Sequence, residues 1–361
     1  MSKHVYWLLL SMRSKTSGTA QIFPVLLISV VFLLARGEAS HTDSAGSVSC
    51  RNSMSDVISW ITPANPSDKA KLDRWCETVG PALVRQPKSP LPERLGRVLV
   101  VNWNVHLGNG QIQTLIQQLT EEERNAGRAE PHFVFLLQEA FRRGVDVPQK
   151  IKSTGRTARR IPSAEDDIAA LAATLDWWMF YAPSMRNGDA EGDAAEDRGN
   201  AILSTLPLEQ FQAIELPFSV QRRVAVSAVV NDEPRGHRFQ VLSVHLDTRA
   251  PMSSGFIFRA SAARNRQAKW IAESLTSQSP ADLPLIVGGD LNTYLGFFES
   301  SDNTLAKIVP RLDCGKDATH KTGFRLDHMF ARFPASMSGA TCRRTETRFD
   351  SDHYPLVLTL P

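Results

Sequence analysis

The chain has 361 residues, 42% of them hydrophobic and 22% charged. This ordinary globular composition excludes collagen-like, disulfide-scaffold and wholly disordered proteins. The formal net charge is +3, but the first 39 residues hold Lys3, Arg13, Lys15 and Arg36 against Glu38 alone, so the remainder balances. Proteins that bind nucleic acid through bulk charge are visibly basic, and any such role here must rest on a local patch.

In chain order, a leader comes first. Ile22 to Ala35 reads IFPVLLISVVFLLA, the size of a signal-peptide apolar region and short of the ~20 residues of a spanning helix. Arg13 and Lys15 precede it, and Gly37-Glu38-Ala39 suits cleavage before Ser40. The expectation is a signal peptide over 1–39 and a secreted or periplasmic protein, with an uncleaved membrane anchor as the alternative. Met12 would be a tidier start than Met1. Cys50, Cys76, Cys314 and Cys342 show no zinc-ligand spacing. Of the three pairings they allow, Cys50–Cys76 with Cys314–Cys342 is favoured, each bond worth ~3 kcal/mol in the chain-entropy picture. Buried thiols are the alternative.

Residues 40–96 read as an N-terminal extension and linker. Ser40 to Ser49 is small and polar, a disordered terminus. DVISWI and KAKLDRWCETV carry short helical patterns, with Trp60, Leu72 and Trp75 on a small apolar face. Residues 85–96 are punctuated by proline. From Arg97 to Pro361 strand and helix patterns alternate. RVLVVNWNV is a strand, Gln111 to Arg128 a helix, and HFVFLLQEA a buried strand. Ser163, with Asp166 in a capping box, opens a helix through Leu175. WMFYA, NAILS, RRVAVSAVV and RFQVLSVHL are strands, Phe256 to Leu275 a long helix, and LPLIVGG a buried strand. RLDHMFA, SGATCRR and YPLVLTL close the chain as strands. Hairpin-like neighbours mixed with strand–helix alternation predict a mixed-sheet α/β sandwich. Two stretches have biased charge: a basic run from Arg142 to Arg160 and an acidic one from Asp189 to Asp197. Both read as solvated loops.

Apolar strands repeatedly end in polar residues: Asn104 and His106, Gln138 and Glu139, His245 and Asp247, Asp290 and Asn292, Asp327 and His328, Asp352 and His353. Such endings converge at one rim of a sandwich. Carboxylates, amides and imidazoles without cysteine suit a hard cation such as Mg²⁺ and a phosphate ligand, and supply a base and a cationic stabiliser. Each pair alone has a plain structural explanation, as a strand-end turn, a satisfied buried histidine or an Asx turn. Six in one order do not.

NWNVH, LLQEA, RGNAILS, SVHLD, GGDLN, RLDH and SDHYP, in that order, closely resemble the endonuclease/exonuclease/phosphatase superfamily. The resemblance spans Arg97 to Pro361 and implies a four-layer α/β sandwich, two mixed β-sheets flanked by helices. Glu139 resembles its principal Mg²⁺ carboxylate, with Asn104 beside it and Asp352 as a further carboxylate. Asp290 resembles the base that activates water, oriented by Asn292. His353, held by Asp327, resembles the imidazole on the scissile phosphate, and His245 resembles a second phosphate-stabilising histidine. Asn200, in RGNAILS, is expected to help shape the site as a substrate-binding residue. His106 departs from the pattern, standing where apurinic endonucleases carry an acidic residue.

The expected activity is an exported Mg²⁺-dependent phosphodiesterase, with Mn²⁺ or Ca²⁺ also suited. A nuclease is favoured, with Arg222, Arg223 and the basic run as substrate contacts. A sphingomyelinase-like or other lipid or small-molecule phosphoesterase is the alternative, with Gly255 to Phe258 and Gly296 to Phe298 as candidate apolar contacts. A non-catalytic binding protein on the same scaffold is a third reading. Nucleic acid is the partner favoured over lipid, no protein partner is evident, and the chain is expected to be a monomer.

Overall fold

The computed structural model describes residues 50–51, 56–89, 96–148, 167–187, 195–248, 256–278, 283–296, 299–334, 337 and 339–361. The expected leader, the terminus over 40–49, Ser163, Asp166 and most of both charge-biased loops lie outside them.

Two mixed sheets form the centre. The first has six strands: β1 (Ile58–Ile61), β7 (Leu208–Glu215), β8 (Val224–Asp232), β9 (His237–His245), β10 (Leu285–Asp290) and β11 (Asp327–Arg332), in that spatial order. The second has seven: β12 (Thr341–Arg344), β13 (Leu356–Leu360), β3 (Val98–Asn104), β4 (His132–Arg143), β6 (Glu196–Ser204), β5 (Trp178–Arg186) and β2 (Leu83–Arg85). The helices are α1 (Pro66–Cys76), α2 (Ile112–Asn125), α3 (Ile168–Leu175), α4 (Phe256–Gln278) and α5 (Ser301–Ala306).

Strand alternation explains the layering. Val98 and Val100 of β3 join Val134, Leu136, Val226, Val241 and Ile286 in the core between the sheets. Their neighbours Leu99, Val101 and Trp103 turn the other way, onto Leu115 of α2 and Leu171 of α3. On the far side, Leu242, Val244 and Val287 pack with Ile271 and Leu275 of α4 and Leu305 of α5. Strands buried on both faces need near-continuous apolar runs, as VLVV and FVFLL are. The result is the expected four-layer sandwich. Gly288 sits where a Cβ would come within 2.9 Å of Asn102 and Leu136 of the opposite sheet, so its lack of a side chain lets the two sheets close next to Asp290.

Several elements differ from the sequence reading. DVISWI forms a strand, since β1 pairs in parallel with β7. Leu83–Arg85, at the start of the supposed linker, pairs with β5. Residues before Arg97 thus supply one edge strand of each sheet. β7 and α5 had no strong periodic signal. α3 is capped by Asp167, whose carboxylate accepts from the amides of Ala169 and Ala170. The disulfides are Cys50–Cys76 and Cys314–Cys342, which points to an oxidising environment. Among the described residues no helix is long and apolar enough to cross a membrane.

Candidate active site

Register brings the first three residues together. Asp290, at the end of β10, pairs with His245 of β9 on one side and Asp327 of β11 on the other. In the second sheet Asn104 ends β3 opposite Gln138 of β4. Parallel neighbours end at the same rim, so the terminal residues of the two sheets face each other.

A β-bulge places the next group. The β4–β6 ladder shifts between Leu137 and Ala140, and Glu139 there has φ 54°, a conformation that costs a non-glycine residue of order 1 kcal/mol or more. Gln138 stays inside, its amide donating to Asn102 and Ser243, while Glu139 keeps an accessible carboxylate 3.9 Å from Arg198. His106 and Asn292 also have positive φ, 48° and 52°. Backbone strain is thus concentrated at the rim.

Asp290 is almost fully buried and held from two sides. Its Oδ2 accepts from Asn104 Nδ2 at 3.0 Å and its Oδ1 from the Asn292 amide at 2.9 Å. Asn292 is fixed in turn by donating from Nδ2 to Leu246 O at 3.0 Å. Burial pushes the Asp290 carboxyl up to about 6, with Asp327 adding to the rise and His353, Asn104 and Asn292 opposing it. His353 donates from Nδ1 to Asp327 Oδ2 at 2.7 Å, and its Nε2 lies 3.7 Å from Asp290. Burial disfavours its charge, but Asp327, Asp290 and Asp352 outweigh that and push the imidazole up to about 10. The loop carrying it is stapled to β3: Ser351 Oγ donates to Asn104 O at 2.6 Å and Trp103 Nε1 to His353 O at 3.0 Å.

His245 Nε2 stands 3.5 Å from Asp290 Oδ2. Burial, Arg223, His353 and Arg198 push its imidazole well below the ordinary range, so it is neutral. Asp352 is half-buried, with His320 Nε2 at 3.4 Å, Lys321 Nζ at 3.5 Å and His106 Nε2 at 3.7 Å. Burial opposes its charge, but the His320 hydrogen bond and the charges of His353, His106 and His320 hold its carboxyl well below the ordinary range.

Among the described residues, two groups of three bring ligating atoms close together: Asp290, Asp327 and His353, and His320, Asp352 and His353. The first is already engaged internally through the His353–Asp327 bond. In the second, His320 Nδ1 accepts from the Thr322 amide at 3.2 Å, which leaves its proton on Nε2 facing Asp352. Glu139 and Asp352 carry further carboxylates at strand and loop ends of this rim, and with the Asn104 amide oxygen they are hard oxygen donors that could hold a divalent cation.

Three expected substrate contacts, Arg222, Arg223 and Asn200, need correction. Arg222 is fully buried, donating to Glu215 at 2.8 Å, to Pro183 O at 2.7 Å and to Cys50 Sγ at 3.2 Å. Arg223 is equally enclosed, its guanidinium spent on His245 and Asp247. Asn200 is a strut rather than a surface contact, donating to Ser243 O of the other sheet at 3.1 Å. The described start of the basic run is also neutralised, because ladder pairing sets Arg142 against Asp197 and Arg143 against Glu196. Phe256 to Phe258, Phe297 and Phe298 lie outside the described side chains.

The sequence reading overlooked four residues. His320 and Lys321 flank Asp352, and the only signal was the polar THK before RLDH. Tyr294 and Phe324 are 38% and 43% exposed and meet edge to face with centroids 5.5 Å apart. Burial together with the charges of Asp290, Asp352 and Glu139 pushes the Tyr294 phenol up to about 12.

Among curated proteins no sequence matches the chain. Solved structures similar to it include an endonuclease/exonuclease/phosphatase from Beutenbergia cavernae DSM 12333, 19% identical over 73% of this chain and 71% of that one, with a TM-score of 0.51. Others are the human Nocturnin catalytic domain with bound sulfate (16% identity, 74% and 97% coverage, TM-score 0.48) and sphingomyelinase C from Streptomyces griseocarneus (17%, 73% and 99%, 0.47). The first shares the sandwich fold. The profile of the Endonuclease/Exonuclease/phosphatase family, whose members hydrolyse phosphoester bonds, matches residues 101–353. Site geometry, fold and this match together place the chain in the Endonuclease/Exonuclease/phosphatase family.

Proposed function

We propose that this protein is an exported, divalent-metal-dependent phosphodiesterase acting on nucleic acid. The reading rests on one observation above others: Asp290, pinned by Asn104 and Asn292, lies within 3.7 Å of both the His353 imidazole and the His245 imidazole. A base and two N–H donors thus surround one point at the rim.

Glu139, Asp352 and Asn104 would hold the cation, which when bound neutralises a phosphate oxygen. Asp290 takes the proton from the attacking water. The charged His353 donates from Nε2 to the phosphate as negative charge accumulates, and Asp327 keeps that imidazole oriented and protonated. His245 adds an uncharged donor. No side chain needs to become covalently bound to the substrate.

The exposed Tyr294–Phe324 pair supports nucleic acid as the substrate, since rings held open beside a phosphate site offer bases a stacking surface. Export is supported by the two disulfides and the leader sequence. The test is turnover of plasmid DNA, sphingomyelin and bis-p-nitrophenyl phosphate with Mg²⁺ and with EDTA. DNA hydrolysis that EDTA abolishes and Mg²⁺ restores is expected. Turnover of the lipid with none of DNA overturns the substrate, and full activity in EDTA overturns the metal.

A further inference from the structure

We infer that Arg223 is a positioning residue that fixes His245 as the Nε2–H tautomer, so that its single proton points at the reacting phosphate. The inference rests on the proposed site, but the tautomer itself can be measured without substrate or metal.

The argument is geometric. Arg223 Nη1 lies 3.0 Å from His245 Nδ1, and both side chains are buried. A guanidinium has donors and no acceptor, so the ring must present a lone pair at Nδ1 and carry its proton on Nε2. Nε2 has no hydrogen-bond partner and faces Asp290. A buried N–H with nothing to bond is costly, and its direction is toward the space beside Asp290 where the substrate would sit.

The guanidinium is itself braced from behind. Arg223 Nε lies 3.4 Å from Asp247 Oδ1, and Asp247 accepts from Gln267 Nε2 of α4 at 3.2 Å and from the Val220 amide at 3.4 Å. A line of side chains from α4 through Asp247 and Arg223 thus sets one imidazole proton. The two histidines of the site are accordingly built as opposites. His353 has a carboxylate behind Nδ1 and is held charged. His245 has a cation behind Nδ1 and supplies a hydrogen bond without charge. This also explains why a buried arginine stands beside a phosphate site that it does not reach.

The test is nitrogen-15 NMR of histidine-labelled full-length protein at pH 7, metal-free, with His245→Gln identifying the resonances. Wild type is expected to show His245 with a protonated Nε2 and an unprotonated Nδ1. Arg223→Met should admit the Nδ1–H form and lower kcat on DNA about a hundredfold, the scale of one lost transition-state donor, with KM changed less than about threefold. Arg223→Lys, again a donor without an acceptor, should restore the tautomer and much of kcat. An Nδ1–H or doubly protonated His245 in wild type overturns the inference even if no variant folds. So does Arg223→Met with an unchanged tautomer. Correct tautomers in a protein that does not cleave DNA would instead count against the proposed substrate.

Discussion

Asn104 Nδ2 donates to Asp290 Oδ2 at 3.0 Å, a bond running from the end of one sheet to the end of the other. The base is therefore positioned by the packing of the sandwich and not by its own strand alone. Asn104→Leu keeps the volume and removes both the donor to Asp290 and an oxygen from the proposed cation set. Its kcat on DNA should fall by about two orders of magnitude or more, and higher Mg²⁺ should recover only part of that loss. Wild-type rates in a magnesium titration of this variant would show that neither contact matters.

Asp327 is buried, with Oδ2 on His353 and Oδ1 without a partner. Asp327→Asn keeps the shape and removes the charge that holds His353 protonated. A fall in kcat of about 10²- to 10⁴-fold is expected. Steady-state kinetics alongside a melting curve checks this, and a variant that loses stability but keeps kcat would assign Asp327 to the scaffold.

Tyr294 and Phe324 are held in the open by fasteners between their loops. The Leu291 amide donates to Leu326 O at 2.9 Å, and Thr293 Oγ1 to Arg325 O at 2.8 Å. Stacking on an aromatic contributes about 1–3 kcal/mol per base. Tyr294→Ala and Phe324→Ala should each lower kcat/KM for an oligonucleotide by about 5- to 150-fold on that scale. Cleavage of dimethyl phosphate-type diesters, which carry no ring, should change little. Equal losses on both substrates would indicate general damage to the rim.

Glu215 is enclosed by Arg222, Arg51 and Thr62. Burial raises its pKa, but the charges of Arg222 and Arg51 and the hydrogen bonds from both outweigh that and hold the carboxyl below its ordinary 4.5. A depressed carboxylate binds fewer protons folded than unfolded. Its contribution is complete above the unfolded value and disappears as pH falls through the folded one. Glu215→Gln should cost about 3–5 kcal/mol at neutral pH, because it leaves a buried arginine uncompensated. Denaturant melts at pH 7 and pH 3 should show the gap to wild type narrowing in acid.

Strand endings carried most of the site in the sequence. Asn104, His245, Asp290 and Asp327 are each the last or first residue of an apolar strand, so periodicity alone marks where the side chains leave the core. Glu139 was legible only as a residue after LLQ, because a bulge is a property of two strands in register and no local pattern encodes it. Arg222 and Arg223 were misassigned for a related reason. Two adjacent arginines at a strand start resemble a phosphate contact, and only the tertiary structure shows Glu215 and Asp247 already beside them. DVISWI failed as a helix because β1 is an edge strand whose pairing partner lies some 150 residues away, beyond any window of local periodicity.

β1 and β2 both precede the stretch that the family profile matches, yet each closes the outer margin of a different sheet. A chain trimmed to begin at Arg97 would present two raw margins of unpaired amides and carbonyls, along β7 and β5, which are templates for strand exchange between copies. It would also lose Arg51 from beside Glu215. Loss of solubility in such a fragment would reflect missing borders and would say nothing about the chemistry at the rim.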